Sequence, residues 1–367
     1  MAIKAENILL DLVAIPSVSP LSNRPVIDYA EKHLAGWKIK RYPYRDAAGV
    51  EKINLIATTK PGIAGLAFVC HTDTVPYDPE WAEAVHPAIR GGKLYGRGSC
   101  DVKGFLACML ASIARVDLAA LRQPLAIVLT ADEEVGCVGA KFLARKKVLR
   151  ARNMVIGEPT GLHPVTAGKG YALAEIVVRG KEAHSAFPSR GRSAIFDAAR
   201  VVTALERVAK KLEARKNRAF DPPFTTLNVG LIHGGTAKNI VAGECRITVE
   251  WRPVPGQPAE WAAQLIREAL AGLRGIDARL EVKRLDPAFD ASAKRNLVGL
   301  VESLAGRKST TVSFGTEAAH LNRMAPEVIV MGPGDMTVAH KSGEFVPVKE
   351  LNECVGYLVE LIRRLCA

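Results

Sequence analysis

Early in the chain, short apolar runs alternate with segments whose apolar positions recur every three or four residues. Ile53–Ala57, Gly65–Cys70, Pro124–Thr130 and Asn153–Ile156 are runs of strand length, the pattern of strands covered on both faces. Helical periodicity marks Lys103–Val116 and the N-terminal stretch, where Lys4, Glu6 and Asp11 interrupt the apolar positions. A further helix is predicted over Pro25–Ala35, with Ser22 or Asn23 as its cap, Pro25 at its start and Gly36 as its stop. Strands alternating with helices imply an α/β fold, a sheet flanked by helices.

After Gly168 the pattern changes. Ala172–Val178 alternates, a helix covers Ser193–Arg215, and Thr226–Ile232 and Cys245–Trp251 are strands. A helix over Pro258–Leu273 and a strand at Arg279–Val282 follow. This β-α-β-β-α-β order is the split arrangement of ferredoxin-like α+β domains. We therefore expect residues 170–285 to be an insert in a first domain made of 1–169 and 286–367. Its second part holds a helix after Asp290, a strand at Val328–Gly332 and a closing helix over Val348–Leu365.

A length of 367 residues with 48% hydrophobic positions suits two folded domains. No apolar run is long enough to span a bilayer, and the mixed N-terminus is not a signal peptide, so the expectation is a cytoplasmic protein without membrane contact. Seven cysteines with no C-x-x-C pair describe reduced, buried thiols rather than a disulfide framework. The net charge of +12 is dispersed. Its densest clusters, Arg145–Lys147 with Arg150 and Arg152, and Lys210–Arg218, fall on or near helices, so solvated faces explain them better than nucleic acid does.

The chemistry gathers at strand ends. His71-Thr-Asp73 ends one apolar run, and Asp132-Glu133-Glu134 follows another. Glu158 follows Asn153–Ile156, and His340 follows Val328–Gly332 by a short loop. Asp101 closes the glycine-rich turn before the Lys103 helix. Carboxyl ends of strands line the ligand crevice of open α/β sheets. Two histidines, one aspartate and two glutamates suit two divalent cations, because an aspartate can bridge them while each takes one imidazole and one further carboxylate. Asp73 is placed to accept the other ring N–H of His71 and fix its tautomer. Glu133 and Glu134 need separate roles: one turned to a metal, the other to the water it activates, as a general base. No G-x-S-x-G elbow, dinucleotide fingerprint or phosphate-loop lysine pattern is present.

These motifs, in this order and over the whole chain, resemble the co-catalytic zinc amidohydrolases that include acetylornithine deacetylase, succinyl-diaminopimelate desuccinylase, aminoacylase and carboxypeptidase G. The resemblance implies a zinc-peptidase-like catalytic domain with an inserted lid and dimerisation domain. It implies two zinc ions per subunit, with cobalt as a possible substitute: His71 and Glu158 on one, Glu134 and His340 on the other, and Asp101 between them. Glu133 is then the general base, and Asp73 orients His71. In the insert, Gly180–Ser185 resembles the segment whose histidine, here His184, reaches a neighbouring subunit's site and stabilises the oxyanion. By itself a histidine after an alternating strand is equally a surface residue. Ala237–Val241 resembles a lid loop whose asparagine, Asn239, contacts substrate. Trp251–Gly256 resembles a segment whose arginine, Arg252, grips a carboxylate with its planar fork.

Phe314–Ala318 and Gly332–His340 are most similar to the acetylornithine deacetylase branch. Two departures are Lys341, where that branch has glutamine, and Val102 in place of methionine. The resulting expectation is a cytoplasmic, homodimeric enzyme of arginine biosynthesis that deacetylates a small N-acyl amino acid. Acetylornithine leads, with Glu317 a candidate contact for the cationic end of the substrate. Acetylcitrulline, acetyllysine, succinyl-diaminopimelate and dipeptides remain alternatives on the same scaffold.

Overall fold

In the computed structural model, which describes residues 3–293 and 296–367, the apolar runs become the inner strands of a mixed sheet. Ala64–His71 and Leu125–Thr130 are buried along their whole length, as strands covered on both faces must be. Ala64–His71 lies parallel to both Leu125–Thr130 and Ala151–Ile156, and Glu327–Val330 lies parallel to Ala151–Ile156. The register aligns His71 with Thr130, Val69 with Ile156, and Ile156 with Val330. Four strands thus end at one edge, and the residues that follow each of them leave the sheet on the same side.

This sheet belongs to one of two compact units, formed by Met1–Thr166, Ala291–Thr310 and Thr316–Ala367. Helix Ala5–Val13 buries Ile8, Leu9, Leu12 and Val13, the three-four spacing of an amphipathic face. It shares a hydrophobic core with Lys103–Ile113, buried throughout, and with the apolar face of Val348–Cys366. Each leucine in that core contributes about 1.5–3 kcal/mol of burial.

Several boundaries differ from the sequence pattern for physical reasons. The helix expected over Pro25–Ala35 spans Arg24–Glu31, and Asn23 precedes it without capping it. The Asn23 side chain instead bonds the backbone of Ile53 in both directions and the hydroxyl of Thr72, so tertiary bonds displace the local cap. Strand Lys38–Arg45 pairs antiparallel with Glu51–Thr58 at the sheet edge. Its lysines and arginines suit a solvated edge, and they hide it from a search for apolar runs. A small sheet of Ala88–Arg90, Lys93–Tyr95 and Phe345–Pro347 was also not anticipated.

The second unit comprises Ala167–Asp290 and Thr311–Gly315. Its antiparallel sheet has the order Thr226–Gly234, Glu244–Arg252, Tyr171–Arg179, Asp277–Asp286. Helices Ala194–Leu212 and Ala259–Ala271 share one core with it, giving the expected β-α-β-β-α-β order. Ser193 caps the first helix by accepting the N–H of Phe196. The last strand is longer than Arg279–Val282, because a register shift between Val282 and Arg284 lets pairing continue to Asp286.

Candidate metal centre

Asp101 lies between two imidazoles. Its Oδ1 is 3.2 Å from His71 Nε2, and its Oδ2 is 3.0 Å from His340 Nε2. His340 Nε2 is also 3.3 Å from Glu134 Oε1. Ligand atoms of His71, Asp101 and Glu158 fall within 4.8 Å of one another, and so do those of Asp101, Glu134 and His340. Asp101 belongs to both triads, so all five residues proposed as metal ligands meet in one place.

Packing fixes His71, Glu158 and the turn at Asp132. His71 is the last residue of a buried strand. Glu158 follows Gly157, where a Cβ would come within 2.1 Å of the Phe105 ring; only glycine lets the chain approach that closely. Asp132 sits at φ 59°. Its carboxylate accepts the Tyr44 hydroxyl at 2.8 Å and lies 3.2 Å from the Nζ of the buried Lys52. Tyr44 and Lys52 were not singled out in the sequence, since only the fold carries them to this turn.

Asp73 does something other than expected. His71 Nδ1 faces the backbone carbonyl of Asp73 at 3.0 Å, while the carboxylate lies 3.8 Å away. That carboxylate instead accepts the N–H groups of Glu133 at 3.0 Å and Glu134 at 3.3 Å, and the Ser19 hydroxyl at 2.8 Å. The main chain therefore fixes the imidazole, and the carboxylate holds the turn that carries the paired glutamates. Glu133 Oε1 receives the Cys137 thiol at 3.3 Å.

Burial and crowding of like charge dominate the protonation of the site. Burial pushes Glu133 up to about 7 and Glu158 well above its ordinary value, with neighbouring carboxylates adding to both shifts. Glu134 is raised by the same causes. Burial opposes the charged forms of His71 and Asp101, but their mutual bond and nearby partners prevail, raising His71 and holding Asp101 low. Bonds to Asp101 and Glu134 push His340 up to about 10. A mostly buried group of carboxylates and imidazoles, with His340 exposed at its edge, that must retain protons to coexist is the donor set divalent cations satisfy. The residues fit two such ions.

Glu317, the candidate contact for a cationic substrate end, is 1% exposed. One of its oxygens accepts the Thr130 hydroxyl at 2.8 Å, and the other has no hydrogen-bond partner among the described residues. Burial pushes its carboxyl up to about 8.

The remaining candidates lie in the second unit. His184 is exposed, and its Nδ1 accepts the N–H of Ala186. Ala183–His184 pairs with Ile240–Val241, and Ser185 donates to the carbonyl of Asn239, which brings His184 and Asn239 side by side. Arg252 ends its strand with the guanidinium 4.9 Å from the Tyr171 ring centre and 3.6 Å from Glu250.

The sequence profile of peptidase family M20/M25/M40 matches residues 67–364. An acetylornithine deacetylase of Myxococcus xanthus is 46% identical over 368 residues, covering 98% of this chain and 96% of that protein. Among solved structures, aminopeptidase PepT of Bacillus cereus superposes with a TM-score of 0.76 at 25% identity, covering 99% of this chain and 98% of that one. A dinuclear metal binding peptidase of Bacillus subtilis shares the fold, with a TM-score of 0.67 at 15% identity over 98% and 97% of the two chains.

Proposed function

The chain belongs to peptidase family M20/M25/M40, and from that premise we propose that it deacetylates N-acetyl-L-ornithine with two zinc ions held around Asp101. The observation that carries this reading is the placement of Asp101, one carboxylate oxygen toward His71 and the other toward His340. The nearly full-length likeness to a protein named acetylornithine deacetylase supplies the substrate.

His71 and Glu158 would hold one ion, Glu134 and His340 the other, and Asp101 would join them. When bound, zinc supplies a Lewis acid that polarises the amide carbonyl and acidifies water; cobalt, which takes similar ligands, is a possible substitute. Glu133 does the proton work. Its carboxyl, near neutrality in pKa and placed beside the ligands, takes a proton from the attacking water and returns it to the departing amine. In the proposed homodimer, His184 would donate to the oxyanion in a neighbouring subunit's site as the tetrahedral centre forms. Arg252 and Asn239 hold the α-carboxylate. Glu317 takes the cationic end of ornithine, and its buried oxygen without a hydrogen-bond partner among the described residues supports a role that a cation completes.

The insert serves as lid and homodimer surface. Its edge strand Thr226–Gly234 exposes Leu231 and Ile232, and the same unit exposes Phe187, Ile195 and Phe196, apolar side chains that a partner subunit would cover. A cytoplasmic place in arginine biosynthesis follows from the substrate, and no described helix is long and apolar enough to cross a membrane.

The test is kcat/KM for a matched set under zinc: N-acetylornithine, N-acetylcitrulline, N-acetyllysine, succinyl-diaminopimelate and a dipeptide. Preference for acetylornithine supports the reading. Preference for the succinyl or dipeptide substrate replaces it with a desuccinylase or dipeptidase on the same centre.

A further inference from the structure

Glu344 is fully buried, and no chemistry at the centre uses it. Its Oε1 accepts two consecutive backbone N–H groups, those of Cys100 at 2.9 Å and Asp101 at 3.0 Å. Its Oε2 accepts the guanidinium of the buried Arg97 at 2.5 Å. The main chain of Glu344 is engaged as well, since its carbonyl accepts the N–H of Gly96. This carboxylate therefore occupies the inside of the turn from Gly96 to Lys103, a turn closed by the Lys103 N–H on the carbonyl of Gly98.

Two features make the arrangement more than a buried ion pair. The accepted N–H belongs to Asp101 itself, the residue whose oxygens stand between His71 and His340. Glu344 also lies four residues after His340, and pairing of Phe345 with Tyr95 locks that segment beside the Asp101 turn. One side chain thus ties the backbone of the bridging aspartate to the segment that carries one of the two histidines. A buried carboxylate with three charge-assisted donors resists displacement, because moving it strands each donor without water.

Resting on the proposed dinuclear centre, we propose that Glu344, braced by Arg97, is a positioning residue that fixes Asp101 and thereby sets the affinity of both metal ions. Glu344 touches neither ion; it acts through the backbone of Asp101. Glutamine is close to glutamate in size but offers one acceptor oxygen and one N–H₂. In Glu344→Gln that N–H₂ must face either the two backbone donors or the guanidinium, so one set of bonds is lost. Asp101 is then free to move relative to both imidazoles.

The experiment is a zinc titration of the full-length protein against a competing chelator, repeated with cobalt(II) and its visible absorption spectrum. Wild type is expected to bind two ions. Glu344→Gln is expected to weaken both by about 10–100-fold, the usual effect of removing a partner that supports a ligand, and to change the cobalt spectrum. Wild-type affinities with an unchanged spectrum overturn the proposal, as does weakening of one ion alone. Should Glu344→Gln fail to fold, Arg97→Gln carries the same test: it removes the guanidinium that Glu344 Oε2 accepts, so weaker binding supports the brace and wild-type binding overturns it. If wild type itself binds no metal, the dinuclear reading fails and this inference with it.

Discussion

Asp73 Oδ1 accepts the backbone N–H of Glu133 at 3.0 Å. The carboxylate at the end of one strand thus sets the direction in which Glu133, the proposed general base, leaves the next. Asp73→Asn puts an N–H₂ against at least one donor of this turn, which costs about 1–3 kcal/mol for the group left unsatisfied. We expect kcat to fall about 10–100-fold while His71 keeps its bond to the carbonyl of residue 73. Steady-state kinetics with a thermal melt check this, and an unchanged kcat would contradict the role.

Glu133→Gln keeps the shape of the side chain and removes its proton chemistry. Turnover should fall about 10²–10⁴-fold, the range for loss of a general base. Bound metal, counted by mass spectrometry or atomic absorption, should stay at the wild-type level, because Glu133 stands outside the five-ligand set. Loss of metal along with turnover would make Glu133 a ligand instead.

Gly157→Ala brings a methyl within 2.1 Å of the Phe105 ring. The overpacking costs about 1–3 kcal/mol and pushes Glu158 off its position. The expected result is a lower melting temperature with one metal site weakened more than the other. Phe105→Leu makes room for the methyl, so the double variant should recover part of both losses. Additive losses would show that the clash is not with Phe105.

The pH dependence of the metal-free protein has a definite sign. Glu133 is pushed up to about 7, Glu317 to about 8 and His340 to about 10. Each binds its proton more tightly folded than unfolded, so its contribution is fully present below the unfolded pKa and is lost as pH rises through the folded one. Asp101 is held low and acts in the opposite sense, but only in strongly acid solution. The melting temperature under chelator should therefore fall from about pH 5 to about pH 7, above which the buried Lys103, pushed down to about 7, acts in the opposite sense. Over the same window the gain on adding zinc should widen, since metal binding displaces protons from the centre. A flat or rising profile under chelator would contradict the assignment.

Much of the centre was legible because strand ends carry local signals. An apolar run followed at once by His71 or by Asp132-Glu133-Glu134 can be read without knowing which strands pair. The partners that support the ligands have no such signal. Glu344 meets the Asp101 turn only when Phe345 pairs with Tyr95 across more than half the chain, and Lys52 meets Asp132 only when the fold carries it there. Asp73 was recognisable as a carboxylate beside His71, yet its two oxygens go to the N–H groups of another strand's turn. The near-complete burial of Glu317 had no local signal, because burial depends on what packs over a residue. Strand Lys38–Arg45 was hidden by the charges that suit an edge.

The central claim is that metal ions joined by Asp101 carry the hydrolysis. Its most direct measurement is ornithine release from N-acetyl-L-ornithine as zinc is titrated into chelator-treated protein. The account predicts no release without zinc and full activity once both sites are filled, at two equivalents per chain. Sustained release in the presence of chelator would contradict it.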